Sequence, residues 1–190
     1  STCMHININQ NYQRGICMVE VLVALLLLAV GVLGFSALQS YAVYSTTESL
    51  NRTQALTVMR GLAERVRANS TSGNGVKKTT LDSYKAAMGL GEPSVPSKLC
   101  RSNGGATVPA GCTQAEIAVV DVYDARTAAW DSGIQLGMTT CPGTVDVGER
   151  QCLVAAWDKT TPTITADANA CMKEDGSYRP EANCIVMEIY

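Results

Sequence analysis

A single carboxylate stands inside a long apolar run near the start of the chain. The run covers Ile16 to Phe35, and Glu20 is its only charged residue. An ionised carboxylate in lipid costs several kcal/mol, so it needs a partner or a position near the membrane interface. The chemistry open to Glu20 is therefore pairing with a cation in a low-dielectric environment.

The residues in front of the run suggest a source for that cation. Gly15 directly precedes Ile16, after a short polar leader that contains Arg14. Cleavage after Gly15 would give Ile16 a free ammonium group, about 6 Å along the helix axis from Glu20 of the same chain. When such helices pack side by side, Glu20 of one chain can meet the amine of its neighbour. The pair would favour assembly and fix the axial stagger of the helices.

Two simpler interpretations of the run remain open. Its twenty residues rise about 30 Å as a helix, which matches the hydrocarbon core of a bilayer and fits a plain single-span anchor. In that case Glu20 would reach the headgroups from the first helical turn. A secretory signal is the other interpretation, because Ser40 and Ala42 form a weak small-x-small cleavage pattern and a start near Val43 would follow.

The string GICMVEVLVAL, residues 15–25, resembles the class III signal of type IV prepilins and type II secretion pseudopilins. That signal has a glycine, a bulky apolar residue, three further residues, a glutamate and an apolar run. The continuation EVLVALLLLAVGVLGFSALQ, residues 20–39, resembles the PilV-like minor pilins in particular.

Some positions depart from the common pattern. Ile16 replaces the commonest phenylalanine, and Cys17 replaces a usual threonine or serine. Ala37 stands where the main filament subunits carry a proline, and the first proline of this chain is Pro93. The missing proline favours a minor pilin. The sequence opens with Ser1, and a start at Met4 would leave a twelve-residue leader.

The resemblance implies cleavage between Gly15 and Ile16 by the prepilin peptidase, N-methylation of Ile16, and a role for Glu20 in subunit assembly. It implies a minor pilin that primes filament growth with other minor and major pilins on the inner-membrane assembly platform and can present a tip adhesin. The expected location is the bacterial inner membrane, single-pass with the head in the periplasm, and then the pilus at the cell surface. Motility, adhesion and DNA uptake would follow indirectly.

Two alternative functions are kept beside this one. A minor pseudopilin of a type II secretion system shares the same anchor, although its head is often smaller and poorer in cysteine. A membrane-tethered periplasmic enzyme is the alternative of another class. The only histidine is His5, in the leader, so a His-based triad in the head is excluded. We therefore predict no catalytic site.

Six of the eight cysteines lie in the second half of the chain, which after a membrane segment indicates disulfides formed in an oxidising compartment. Six cysteines allow fifteen pairings. We favour the sequence neighbours, because each intervening stretch contains Gly or Pro and can turn back: Cys100 with Cys112, Cys141 with Cys152, and Cys171 with Cys184.

Metal, cofactor and nucleic-acid sites receive no support. This half has no CxxC pair and no histidine, so we predict no zinc or other metal and no cofactor. The net charge is -2, and no basic patch with interleaved aromatics indicates nucleic-acid binding. The carboxylates of Asp121 and Asp124, one helical turn apart, are interpreted as a solvated helix face.

The apolar pattern divides the chain into a leader (1–15), a transmembrane part of a long helix (16–35), an amphipathic part of the same helix (36–69) and a globular head (70–190). The amphipathic part carries one apolar stripe at helical spacing, formed by Ala55, Val58, Met59, Leu62 and Val66. A cluster of Asn, Ser, Thr and Gly at 69–75 ends it.

The head is predicted to combine helices with an antiparallel sheet. Residues 80–88 indicate a short helix, and Thr113 with Glu116 forms a capping box before a second helix. One face of this second helix is predicted to carry Val120, Tyr123, Thr127 and Trp130. Alternation over residues 152–157 and 184–190 predicts strands, with Ile185, Met187 and Ile189 on one face. The predicted class is α+β, and the resemblance implies the pilin fold.

Overall fold

A computed structural model of the protein describes residues 18–70, 78–100, 111–144 and 148–189. The chain divides into an N-terminal unit, Ser1–Glu48, and a second unit, Ser49–Tyr190. The first helix, α1, covers Met18–Ser70 and so contributes residues to both units. The predicted processing site at Gly15 and Ile16 lies outside the described residues.

In the N-terminal unit, α1 carries exposed side chains on every side from Met18 to Thr47. A soluble helix normally buries one stripe, whereas a helix that is apolar all round requires an apolar environment. By length and composition, α1 is able to cross a membrane.

The described residues of the second unit form two further helices and five strands. The helices are α2 (Lys78–Ala87) and α3 (Gln114–Trp130). The strands are β1 (Ile134–Thr140), β2 (Gln151–Trp157), β3 (Thr161–Ile164), β4 (Ala170–Met172) and β5 (Cys184–Glu188).

The larger sheet has the order β1-β2-β5, and both pairings are antiparallel. Ile134 lies opposite Trp157 in the first pairing, and Leu153 lies opposite Met187 in the second. Strands β3 and β4 form a separate parallel pair. The α+β prediction, with a long apolar helix and an antiparallel sheet in the head, is confirmed.

The main core lies between the second half of α1, the other two helices and one face of the large sheet. The predicted stripe on α1 is confirmed: Ala55, Met59, Leu62 and Val66 are buried, and Val58 is half-buried. Ile185, Met187 and Ile189 pack against this core, as their alternation predicted.

A second apolar cluster covers the opposite face of β2. It contains Val154, Ala156, Cys171, Met172 and Cys184. Because both faces of β2 are covered, all seven of its residues are buried. The sequence predicted the strand but gave no indication of this second layer.

Helix α3 begins at the predicted capping box. Thr113 Oγ1 accepts a hydrogen bond from the backbone N–H of Glu116 at 3.2 Å, and Glu116 Oε2 accepts one from the N–H of Thr113 at 2.8 Å. Val120, Tyr123, Thr127 and Trp130, which the sequence places on one face of this helix, do not belong to the main core. The residues that α3 contributes to the main core are Ala118, Val122, Ala125 and Ala129.

The packing of α3 through small residues has a physical reason. Alanines let a helix approach its neighbours closely, and α3 packs against both α2 and β1. Trp130 is therefore left 38% exposed at the border of this interface, although Val120 is buried.

Candidate assembly site

The exposed apolar surface of α1 is the first candidate site. Leucine, valine and alanine dominate residues 18–35, and good helix formers such as leucine and alanine explain why this segment is helical. Its large apolar side chains are mostly more than half exposed, from Met18 at 84% to Phe35 at 62%. An apolar surface of this extent requires lipid or other protein chains to cover it.

Glu20 lies in the first turn of α1 and is exposed. An acidic side chain at that position is favoured by the positive end of the helix dipole. Among the described residues, Glu20 forms no ion pair. The carboxylate therefore lies at one end of the exposed apolar surface.

Hydroxyl groups farther along α1 bond back to the helix itself. Ser36 Oγ donates to the carbonyl of Val32 at 2.9 Å, and Ser40 Oγ donates to the carbonyl of Ser36 at 3.1 Å. Thr46 and Thr47 make the same bond four residues back, at 2.8 and 3.0 Å. These hydroxyl donors are satisfied within the helix, which removes their cost in an apolar environment.

The head contains a polar network that joins its three helices. Tyr84 Oη, on α2, donates to Asp121 Oδ2, on α3, at 2.6 Å. Asn69 Nδ2, in the last turn of α1, donates to Tyr84 Oη at 3.1 Å and to the carbonyl of Gln114 at 2.9 Å. Gln114 Nε2 returns a bond to the carbonyl of Asn69 at 2.9 Å.

Arg65 completes this network from α1. Its Nη1 lies 3.6 Å from Asp121 Oδ1 and 3.3 Å from Asp124 Oδ2. The interpretation of these two carboxylates as a solvated face is wrong, because their side chains are only 17% and 23% exposed and face Arg65. The helical spacing of Asp121 and Asp124 alone could not show that α1 places the Arg65 guanidinium beside them.

Burial controls the protonation of the pair at the centre of the network. Desolvation raises the pKa of Tyr84 well above its usual range, and the hydrogen bond to Asp121 raises it further. Desolvation also raises the pKa of Asp121, although the hydrogen bond from Tyr84 and the charge of Arg65 oppose that shift. The network stabilises the helix packing, and its groups are occupied with one another.

A family model described as Tt1218-like, type IV pilin Tt1218, matches residues 37–123, a little under half of the chain. This match supports a type IV pilin. The matched region covers part of α1, all of α2 and more than half of α3, with the Tyr84–Asp121 pair inside it. No curated protein and no solved structure gives a significant match.

The resemblance of residues 15–25 and the family match fall on different parts of the chain, so they support the same family independently. Type IV pilins are structural subunits that assemble with other pilins in a pilus. An apolar helix able to span a membrane fits both anchoring and packing into a filament.

Two described residues of the connection between α2 and α3, Gly91 and Lys98, bond to side chains of α3. Lys98 Nζ lies 3.1 Å from each carboxylate oxygen of Glu116, and it also donates to the carbonyl of Gly111 at 3.2 Å. Hydrogen bonds from Thr113 and the contact with Lys98 lower the pKa of Glu116. Arg126 Nη2 donates to the carbonyl of Gly91 at 2.6 Å.

The structure joins the six head cysteines in the pairs favoured from the sequence: Cys100–Cys112, Cys141–Cys152 and Cys171–Cys184. The first disulfide immediately precedes the capping residue of α3. The sulfur atoms of Cys100 and Cys112 lie near the Glu116 carboxylate, a grouping that resembles a metal-ligand set. Because both sulfurs are consumed in a disulfide, neither is a thiolate that could bind zinc.

The second disulfide joins the end of β1 to β2, close to a polar cluster on α2. Glu149 pairs with Lys78, and its other oxygen accepts a hydrogen bond from Thr140 Oγ1 at 3.1 Å. Lys85 Nζ also donates to Thr140 Oγ1 at 3.1 Å. The hydrogen bond from Lys78 lowers the pKa of Glu149. These contacts hold α2 against the β1–β2 pair.

Proposed function

We propose that this pilin is a minor, PilV-like subunit of a type IV pilus, which primes filament assembly with other pilins and supports a tip adhesin. The observation that carries the proposal is the exposed apolar surface of α1 with Glu20 as the only charged residue among positions 18–47. The uncovered surface supports packing against other subunits, and the carboxylate at its end supports pairing with the amine of a neighbouring subunit.

The type IV pilin match favours a pilus over a type II secretion system, in which a minor pseudopilin would share the same anchor. The absence of proline before Pro93 supports a minor subunit. In this proposal the head is held in the periplasm by α1 in the inner membrane until the prepilin peptidase and the assembly platform transfer the subunit into the filament. The subunit acts by packing and not by catalysis.

The processing step is tested by mass spectrometry of the mature N-terminus, using protein from the membranes and from sheared surface filaments of the natural host. We expect a chain that begins with N-methylated Ile16. An intact leader would indicate a plain anchor, and a start near Val43 would indicate ordinary secretion. Either of these results would contradict the proposal.

The assembly role of Glu20 is tested by Glu20→Gln, which keeps the size of the side chain and removes its charge. We expect more than about a tenfold loss of incorporation into sheared filaments, because removing one partner of a buried ion pair costs about 3–5 kcal/mol. Glu64→Gln is the matched control, since Glu64 is an exposed acid on the same helix and pairs with Arg67 at the surface. Equal incorporation of both variants would refute the electrostatic account.

The choice between pilus and secretion system is tested by deletion. We expect a strain without this chain to lose surface filaments while it still exports its secreted enzymes. The opposite phenotype would assign the chain to a secretion system.

A further inference from the structure

The uncharged part of α1 extends well past the predicted end of the membrane segment at Phe35. The sequence has no charged residue between Glu20 and Glu48, and every residue from 21 to 47 is exposed. Large apolar side chains continue into the second half of this stretch, with Leu38 69% and Val43 66% exposed. A boundary at Phe35 would leave these side chains in water.

The serines beyond Phe35 are compatible with a position inside the hydrocarbon. Ser36 and Ser40 both donate to carbonyl groups of α1 itself, so neither hydroxyl donor requires water. The first amide side chain after Glu20 is that of Gln39, about 29 Å along the helix axis from Glu20. That distance is close to the full thickness of a typical hydrocarbon core, about 30 Å.

Two tyrosines follow at the depth where the hydrocarbon would end. Tyr41 is 21 positions after Glu20, which corresponds to a rise of about 32 Å. Tyr41 and Tyr44 are three residues apart and therefore lie on the same side of the helix, and they are 73% and 66% exposed. Tyrosine is enriched at membrane–water interfaces, where the ring contacts acyl chains and the hydroxyl contacts headgroups.

We propose that Tyr41 and Tyr44 bind the headgroup layer of the bilayer, so that the hydrocarbon boundary of α1 lies at these tyrosines and not at Phe35. The inference rests on the membrane anchor of the proposed function and specifies which residues set its depth. Glu20 marks one side of the hydrocarbon, and the tyrosine pair marks the side nearer to residue 49.

The depth is measured by quenching of tryptophan fluorescence. The full chain is inserted into vesicles of phosphatidylethanolamine and phosphatidylglycerol whose acyl chains carry bromine either near the carbonyl or near the methyl end. Single variants place tryptophan at three depths: Phe35→Trp, Tyr41→Trp and Thr47→Trp. Trp130 and Trp157, which lie in the second unit, give the background measured on the unsubstituted chain.

With the boundary at the tyrosines, Trp at 41 is quenched most by bromine near the carbonyl. Trp at 35 lies about 9 Å deeper and is quenched more by the deeper bromine. Trp at 47 remains unquenched. If Trp at 35 is quenched most by the shallow bromine and Trp at 41 is not quenched, the hydrocarbon boundary lies at Phe35. That result would contradict the inference but would still support membrane anchoring by α1. Absence of quenching at all three positions would overturn the anchor itself.

The role of the tyrosines as anchors is tested in the Phe35→Trp chain. We expect the additional pair Tyr41→Ser and Tyr44→Ser to change the ratio of shallow to deep quenching at least twofold. Val43→Ser is the control, because Val43 is as exposed as Tyr44 and lies between the two tyrosines. A shift of the same size in the control would show that general hydrophobicity, and not the tyrosine pair, sets the depth.

Discussion

The hydroxyl of Tyr84 donates a 2.6 Å hydrogen bond to the carboxylate of Asp121, and this contact joins α2 to α3. Asn69 and Arg65 bring α1 to the same pair of side chains. Tyr84 is fully buried, so its hydroxyl must be satisfied by protein groups. Four polar residues, contributed by α1, α2 and α3, therefore hold these helices together in the head.

The first prediction is that Tyr84→Phe lowers the free energy of unfolding by about 1–3 kcal/mol, because it leaves the half-buried Asp121 carboxylate without its shortest hydrogen bond. The measurement is denaturant unfolding of the full chain in detergent micelles. Tyr123→Phe, at a half-buried position on α3 outside this network, is the control and should cost less.

A double-mutant cycle measures the interaction energy between Tyr84 and Asp121 separately from the other effects of each substitution. Tyr84→Phe combined with Asp121→Asn should destabilise by less than the sum of the two single changes, since both remove the same bond. Additive effects would show that the contact contributes nothing of its own.

The second prediction concerns alkaline pH. The pKa of Tyr84 in the folded chain is raised above the ordinary value of 10.0, so the folded state holds this proton more tightly than the unfolded state. The contribution of Tyr84 to stability is complete below pH 10 and is lost as the pH rises above it. The free energy of unfolding should fall more steeply above pH 10 in the parent chain than in Tyr84→Phe.

The absorbance of tyrosinate gives a direct measurement of this effect. One of the seven tyrosines of the parent should ionise only when the head unfolds, and that late step should be missing in Tyr84→Phe. Ionisation of all seven in a chain that keeps its circular dichroism would contradict the shift.

Local patterns were sufficient to predict most of the elements but not their long-range contacts. The stripe from Ala55 to Val66, the capping box at Thr113 and the two long strands of alternating residues depend on neighbours within a few positions. The cysteine partners were predictable in the same way, because each pair is 11–13 residues apart.

Other features depend on groups that are distant in sequence. Tyr84 and Asp121 are 37 positions apart, and no local signal indicated that α1 would bring Arg65 to the same carboxylate. The second apolar layer forms because Cys171 and Met172, which are distant in sequence, pack against Val154. Alanine-based packing of α3 was missed because small residues contribute little to a hydrophobic pattern although they permit close approach.

The third prediction is that the disulfides differ in accessibility to a reductant. Cys100 and Cys112 are half-buried, whereas the other four cysteines are between 0% and 5% exposed. A thiol must reach a sulfur atom to attack it, so limited dithiothreitol should reduce Cys100–Cys112 first. Alkylation followed by peptide mass spectrometry identifies the reduced pair.

The loops closed by the three disulfides are similar in length, so removing any one by a pair of alanine substitutions should cost about 2–4 kcal/mol. The order in which the disulfides are reduced therefore reflects how accessible their sulfur atoms are to the reductant, and not differences in the entropy of the loops they close. Simultaneous labelling of all six cysteines under native conditions would contradict the prediction.

The fourth prediction compares the same substitution at two glycines. A Cβ atom at Gly137, in β1, would lie 2.1 Å from the backbone oxygen of Pro162, in β3. Backbone cannot move aside as a flexible side chain does, so Gly137→Ala should lower the free energy of unfolding by at least about 1–3 kcal/mol. At Gly61, inside α1, an added Cβ meets nothing within 4 Å, and Gly61→Ala should raise that free energy by about 0.5–1 kcal/mol because alanine favours the helix. Denaturant unfolding of the two variants tests the close approach of β3 to β1. If Gly137→Ala changed the free energy of unfolding by the same amount as Gly61→Ala, or raised it more, the two strands would not be held this close.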